Sequence, residues 1–260
     1  MNLRAVFWIF RKEMSIYLAT PLAYIIGAIF MLLSGYMFYV LISYFAVNYV
    51  RLTMMGSANV DLTQEILRPF FGNTAFLFLL IVPLLCMRLF AEERRLGTIE
   101  LLLTSPVRTV EIVLGKFLAA LTMNFFIYLL TIVFPLSLYF FGKPDWGPIL
   151  TGYLGVLLML MAFVGLSLFA SAVTSSQLVA AALSFGLLLM LWIIGWINLT
   201  GTASAFVTEL VEYISVVQHL EDFYKGVVDS KHVVYFLSWT FFGLVLTYFA
   251  TESNRWRAAS

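Results

Sequence analysis

Residues able to do chemistry are thinly spread along this chain. Gly115-Lys116 is the pair a phosphate-binding loop would need, but Phe117 follows in place of Ser or Thr. Val110 also stands where the loop's first glycine would be, so the spacing fails twice. No His/Glu zinc pattern, nucleophile elbow or clustered carboxylate site is visible. His219 and His232 read as ordinary polar residues on one loop rather than as metal ligands. The single cysteine, Cys86, sits in an apolar run and reads as a small buried hydrophobe; it excludes an internal disulfide framework and a multi-cysteine metal site. What remains is one charged stretch, Phe90-Ala-Glu-Glu-Arg-Arg-Leu-Gly-Thr-Ile-Glu-Leu-Leu-Leu-Thr-Ser-Pro-Val-Arg-Thr-Val-Glu-Ile-Val-Leu-Gly-Lys116. Its chemistry is that of a docking segment. Gly97-Thr98 can open a short helix with Thr98 as N-cap, and Pro106 closes it. Between them Ile99, Leu101, Leu102 and Leu103 would face water unless a groove on another protein or the membrane surface covers them. Thr109 then reads as the cap of a further helix, with Glu111 near the positive end of its dipole.

The elements around this stretch are set by composition. Of 260 residues, 62% are hydrophobic and 11% charged, with a mean hydropathy of +0.98. A soluble domain carries roughly a quarter charged residues, so the excess apolar surface must face lipid. Six runs match the roughly 20 residues that cross a bilayer: Leu22–Phe45, Thr74–Phe90, Phe117–Phe141, Ile149–Val173, Leu178–Ile197 and Val233–Ala250. The first reads as a spanning helix and not a cleaved signal peptide, because it is too long and lacks a small-residue cleavage site. Pro83 and Pro135 fall inside runs two and three. Arg88 and Lys116 stand near enough to run ends to snorkel. With no carboxylate or histidine inside a run, proton- or sodium-coupled transport is disfavoured.

Of the 15 Lys and Arg residues, five (Arg51, Arg68, Lys143, Lys225 and Lys231) lie on one side of these runs and the rest on the other. The positive-inside bias then predicts both termini in the cytoplasm, with residues 46–73 and 198–232 outside. Residues 2–17 are amphipathic, with Leu3, Val6, Phe7, Phe10, Met14 and Tyr17 at helical spacing and Arg4, Arg11 and Lys12 to one side. They suit a helix lying in the interface, either as a simple anchor or as an elbow that also touches a cytoplasmic partner. Small residues on run four (Gly152, Gly155, Gly165, Ser167 and Ser171) permit close helix approach, within this chain or to a second one.

The stretch Phe90 to Pro106, followed by Ile112-Val-Leu-Gly-Lys-Phe117, resembles the ABC-2 type permeases of ATP-binding-cassette transporters. Gln218-His-Leu-Glu-Asp-Phe-Tyr-Lys-Gly-Val-Val-Asp229, running into Val234-Tyr-Phe-Leu-Ser238, adds a second match. Together they are most similar to the gliding-motility-associated branch and its bacterial relatives. The resemblance implies a single all-α transmembrane domain over residues 1–260, of the type V exporter kind. Its parts would be an elbow helix (1–20), six spans, a coupling loop (91–109) and short external helices within 198–232. The external segments would be Phe206–Ile214 and Val216–Tyr224, where Glu209, Glu212, Glu221 and Asp222 disfavour complete insertion. Coupling to the ATPase would fall on Glu92, Glu93, Gly97, Thr98, Ile99, Glu100, Leu101, Leu102, Leu103 and Thr104.

The same resemblance implies a bacterial inner-membrane subunit that holds no cofactor, with ATP and Mg bound by a cytoplasmic ABC ATPase. A second permease half, identical or related, membrane lipids and an auxiliary membrane or periplasmic partner would complete the complex; nucleic acid would not. Substrate residues are not legible. The alternative is a non-transporting membrane subunit that relays ATPase motion to periplasmic proteins through the same loop. A lipid-modifying membrane enzyme, the third class, lacks a convergent polar constellation.

Overall fold

The computed structural model describes residues 2–54, 63–98, 107–140, 145–195, 211 and 213–258. Their regular structure is entirely helical. Helix α1 (Leu3–Ala19) ends at Thr20, and α2 (Pro21–Met54) begins at the following proline. Proline is pre-set for a first helical position and cannot continue the preceding helix. A π-helical turn (Thr63–Leu67) enters α3 (Arg68–Cys86), and α4 (Arg88–Arg95) continues the same direction after Met87. Helix α5 (Thr109–Leu129) passes through a 3-10 turn into α6 (Val133–Ser137). Pro135 removes the amide that Thr131 would otherwise accept from, and the helix tightens there. Then come α7 (Trp146–Val173), α8 (Gln177–Ile193), α9 (Val216–Tyr224) and α10 (Ser230–Ala258).

Among the described residues, five stretches are long and apolar enough to cross a membrane: Pro21–Val47, Glu65–Arg95, Thr109–Phe140, Trp146–Val173 and Ser230–Ser253. They contain the first, second, third, fourth and sixth predicted runs, apart from Phe141, which lies outside the described residues. The fifth run departs from expectation. Its helix, Gln177–Ile193, has 17 residues, about 25 Å at 1.5 Å per residue, short of a hydrocarbon core of about 30 Å. It nevertheless joins the two ends of the bundle, starting after a three-residue link from α7 and finishing where Gly195 abuts Ser215.

Helix α7 is the hub. Gly152 seats the ring of Phe71, Gly155 seats Phe223, and Gly165 lies against the backbone of Thr240 and Gly243. Ser167 accepts a 2.6 Å hydrogen bond from Ser184, and Ser171 accepts from the amides of Phe90 and Ala91 while donating to the Met87 carbonyl. The small residues of run four therefore serve packing within this chain. An aromatic layer fills the core beside α7, with Phe30 on Phe78, Phe78 on Tyr128, and Tyr128 on Tyr153. Peripheral α2 leaves Tyr24, Ile29, Leu32, Tyr36 and Tyr39 exposed, an apolar face suited to lipid or a neighbouring chain.

A buried ion cluster at one end of the bundle

Polar contacts divide the bundle into two ends. At one, Arg68 pairs with Glu221 at 3.1 Å, Thr151 donates to the Phe223 carbonyl, and Gly226 packs on Pro148. At the other, α1, α4, the start of α5 and the end of α10 meet. This second end holds the stem of the predicted coupling loop.

Helix α1 is N-capped by Asn2, whose side chain accepts from the Arg4 amide. Its buried face is Val6, Glu13 and Tyr17, while Leu3, Phe7 and Trp8 are exposed. The apolar stripe read from sequence thus splits: Val6 and Tyr17 pack on protein, and Leu3 and Phe7 face outward. The close approach is at Gly115, where an added Cβ would stand 2.7 Å from Ile9. The glycine that failed as a phosphate-loop residue is where α1 crosses α5.

Next to that crossing lies Lys116, 1% exposed. Its Nζ is 2.8 Å from Glu13 Oε1 and 3.0 Å from Glu93 Oε2, and it donates to the Leu89 carbonyl at 2.6 Å. The same ammonium lies 5.0 Å from the Phe90 ring centre. Lys12 closes the cluster, donating to Glu93 Oε1 at 2.9 Å. Lys116 does not snorkel, because two carboxylates and a carbonyl satisfy it inside the protein. Arg88 is likewise held, donating to the Thr20 hydroxyl at 3.0 Å and stacking over Tyr17. Partial burial alone would lower the Lys12 ammonium, but the hydrogen bond and charge of Glu93, then Glu13, outweigh it and hold the group above its ordinary value.

The predicted coupling residues fall on both sides of this cluster. Glu93 is a member, and Glu92 lines the adjoining cavity of about 300 Å³. Gly97 ends α4, and the short helix predicted to open at Thr98 falls outside the described residues. The Gly97 φ of 70° is the left-handed conformation glycine adopts at helix C-termini, with its amide bonded to the Arg94 carbonyl. The Thr98 hydroxyl turns back to the Glu93 carbonyl at 3.4 Å. Ile99, Glu100, Leu101, Leu102, Leu103 and Thr104 lie outside the described residues. Thr109 is the first residue of α5, not its cap, and its hydroxyl donates to Glu252 on α10 at 2.5 Å. The Arg108 amide at that helix start is met instead by Glu111, whose carboxylate also accepts from the Asn2 amide at the start of α1. Glu13 and Lys116 are the members that sequence reasoning missed. An acidic residue in register with Val6 and Tyr17 on an otherwise apolar face was the available signal.

Residues 7–250 match the profile of a family described as ABC-2 family transporter protein. A comparison with curated proteins finds no match. The match covers most of the chain, which belongs to the ABC-2 transporter family and is a multi-pass membrane protein of that transport system.

Proposed function

From that membership we propose that the chain is the membrane-spanning permease subunit of an ABC transporter, coupling ATP hydrolysis by a separate ATPase to export or extraction of a substrate. The observation that carries this reading beyond the family is the ion cluster on Lys116. It ties the stem of the 91–109 loop, through Glu93, to both α1 and α5. A push on the loop would be delivered to two helices at once, because a buried hydrogen-bonded charge cannot part from its counter-ions cheaply. Helix α1 then acts as the elbow helix at the cytoplasmic interface, and the loop from Glu92 to Thr104 as the coupling segment. Helix α8 makes a sixth, short crossing. The chain is of the gliding-motility-associated branch, with both termini cytoplasmic in a bacterial inner membrane, and it pairs with a second permease half, identical or related. ATP and Mg belong to the partner.

Replacing Leu101 and Leu102 with Asp tests the coupling assignment. Each buried leucine contributes roughly 1.5–3 kcal/mol, so the pair should weaken capture of the ATPase by about a hundredfold or more. Expression and detergent monodispersity should be unchanged. Normal ATPase recovery by the well-folded double variant refutes docking through this segment.

A further inference from the structure

At the opposite end of the bundle the chain's two histidines meet. His219 on α9 and His232 on α10 are 7% and 4% exposed, and their Nδ1 atoms lie 2.6 Å apart. His219 Nε2 is 3.0 Å from the Tyr213 carbonyl, and His232 Nε2 is 2.8 Å from Asp222 Oδ2. A carbonyl and a carboxylate only accept, so both Nε2 atoms carry protons. Two neutral rings would then present two bare Nδ1 lone pairs to each other at 2.6 Å, which is repulsive. A third proton between them turns the contact into a hydrogen bond.

A metal does not fit this space. Two nitrogens at 2.0–2.1 Å from one tetrahedral ion stand about 3.3 Å apart, and no group of three His, Cys, Asp or Glu ligands occurs among the described residues.

We propose that His219 and His232 jointly hold one excess proton between their Nδ1 atoms, balanced by Asp222, and that this proton latches α9 to the last span. Removing it exposes the two lone pairs to each other. Adding a further proton sets two N–H donors face to face, and the contact breaks on that side too. The latch is closed in a single protonation state.

The surroundings support that state. Asp222 also lies 3.5 Å from Lys225, which keeps it a carboxylate. The other charged groups on facing elements are themselves paired, Glu221 with Arg68 and Lys225, and Lys231 with Asp229. Helices α7 and α8, which also pack on α9, contain no charged residue. The uncharged but titratable Tyr235 stacks on His219 with ring centres 3.8 Å apart and donates its hydroxyl to the Ile214 carbonyl. Burial holds His219 below its ordinary value, as expected for the ring that stays neutral. Tyr213 and Tyr235, which grip His219 from two sides, also line a cavity of about 560 Å³ with Trp239 and Phe242, so opening the latch reshapes that wall.

Two histidines in the whole chain make the test direct. The full-length protein, with a histidine-free tag and nitrogen-15 in histidine alone, is reconstituted in lipid vesicles for solid-state NMR. At neutral pH three protonated ring nitrogens and one bare one are expected, with a correlation between the two rings. At about pH 5 the bare signal should vanish together with that correlation. Two bare nitrogens at neutral pH, four protonated ones, or a correlation that survives the fourth proton would each overturn the proposal. So would a shift of both Nδ1 signals on adding one equivalent of zinc, which would make this a metal site. In His219→Gln the acid-driven separation of α9 from α10, read by spin labels on Gln218→Cys and Leu237→Cys in a Cys86→Ala background, should disappear. The parent spectra decide the matter even where that variant misfolds.

Discussion

Lys116 sets an energetic condition on the residues around it. An ammonium at 1% exposure is tolerated because Glu13, Glu93 and the Leu89 carbonyl replace its water. Lys116→Met removes the cation and leaves buried Glu13 with only the longer, 3.6 Å contact to Lys12. Breaking a buried pair in this way costs about 3–5 kcal/mol, so the thermal midpoint in detergent should fall sharply. The double variant Glu13→Leu/Lys116→Met should recover much of the loss, since no charge is then left alone. Two midpoint losses that simply add would show that the pair is not coupled. Glu13 could be suspected from the sequence by its register with Val6 and Tyr17. Its partner could not, because Lys116 lies 103 positions away and a single chain carries no record of who faces whom.

Acid acts at the same scale, on the other end. Burial holds His219 below its ordinary value, and the hydrogen bond from His232 holds Asp222 below the carboxylate range. Each binds fewer protons folded than unfolded. On the acid side, the stability tied to a neutral His219 ring and a charged Asp222 therefore drains away as pH falls below their unfolded values, about 6.5 and about 3.9, whereas loss of the shared proton opens the latch on the alkaline side. A melting midpoint that declines from about pH 6.5 downward is expected. In His219→Gln the upper part of that decline should be gone, leaving the acid limb that belongs to Asp222.

Helix pairing depends on where side chains are missing. At the crossing of α7 and α10, an added Cβ on Gly243 would stand 2.5 Å from the carbonyl carbon of Gly165, and backbone cannot step aside as a side-chain tip can. Gly243→Val should therefore separate the two helices and abolish a monodisperse product. Gly186 on α8 meets nothing within 4 Å, and Gly186→Ala should leave expression and melting unchanged. Equal behaviour of the two variants would deny the crossing its importance. The small residues of α7 were visible in the sequence, but their partners Phe71, Phe223 and Gly243 were not. Hydropathy located the spans, yet it placed the start of the third at Phe117 where the helix begins at Thr109. The missing turns are polar ones, satisfied by Glu111, Glu252 and Glu13, and their solvation is supplied by neighbours that hydropathy does not count.

At the scale of the whole molecule, charge sorts by end. Arg68, Glu221, Asp222 and Lys225 meet at one end, while Lys12, Glu13, Glu93 and Lys116 meet at the other. This is the partition that the Lys and Arg bias predicts, with the richer basic end cytoplasmic. Orientation is decided by which end an impermeant reagent reaches. Cys86 is fully buried but reactive if the protein opens, so Cys86→Ala is the starting background. Ser215 is a poor reporter, being buried with its hydroxyl capping α9. Val227 is 54% exposed, in the turn between α9 and α10, and Thr98 is exposed beyond α4. A maleimide that cannot cross membranes, applied to intact cells, should label Val227→Cys and spare Thr98→Cys, and cell disruption should then expose Thr98→Cys. Labelling of Thr98→Cys in intact cells with Val227→Cys protected would invert the protein in the membrane. That result would put the Lys116 cluster on the far side from any ATPase and remove the basis for its coupling role.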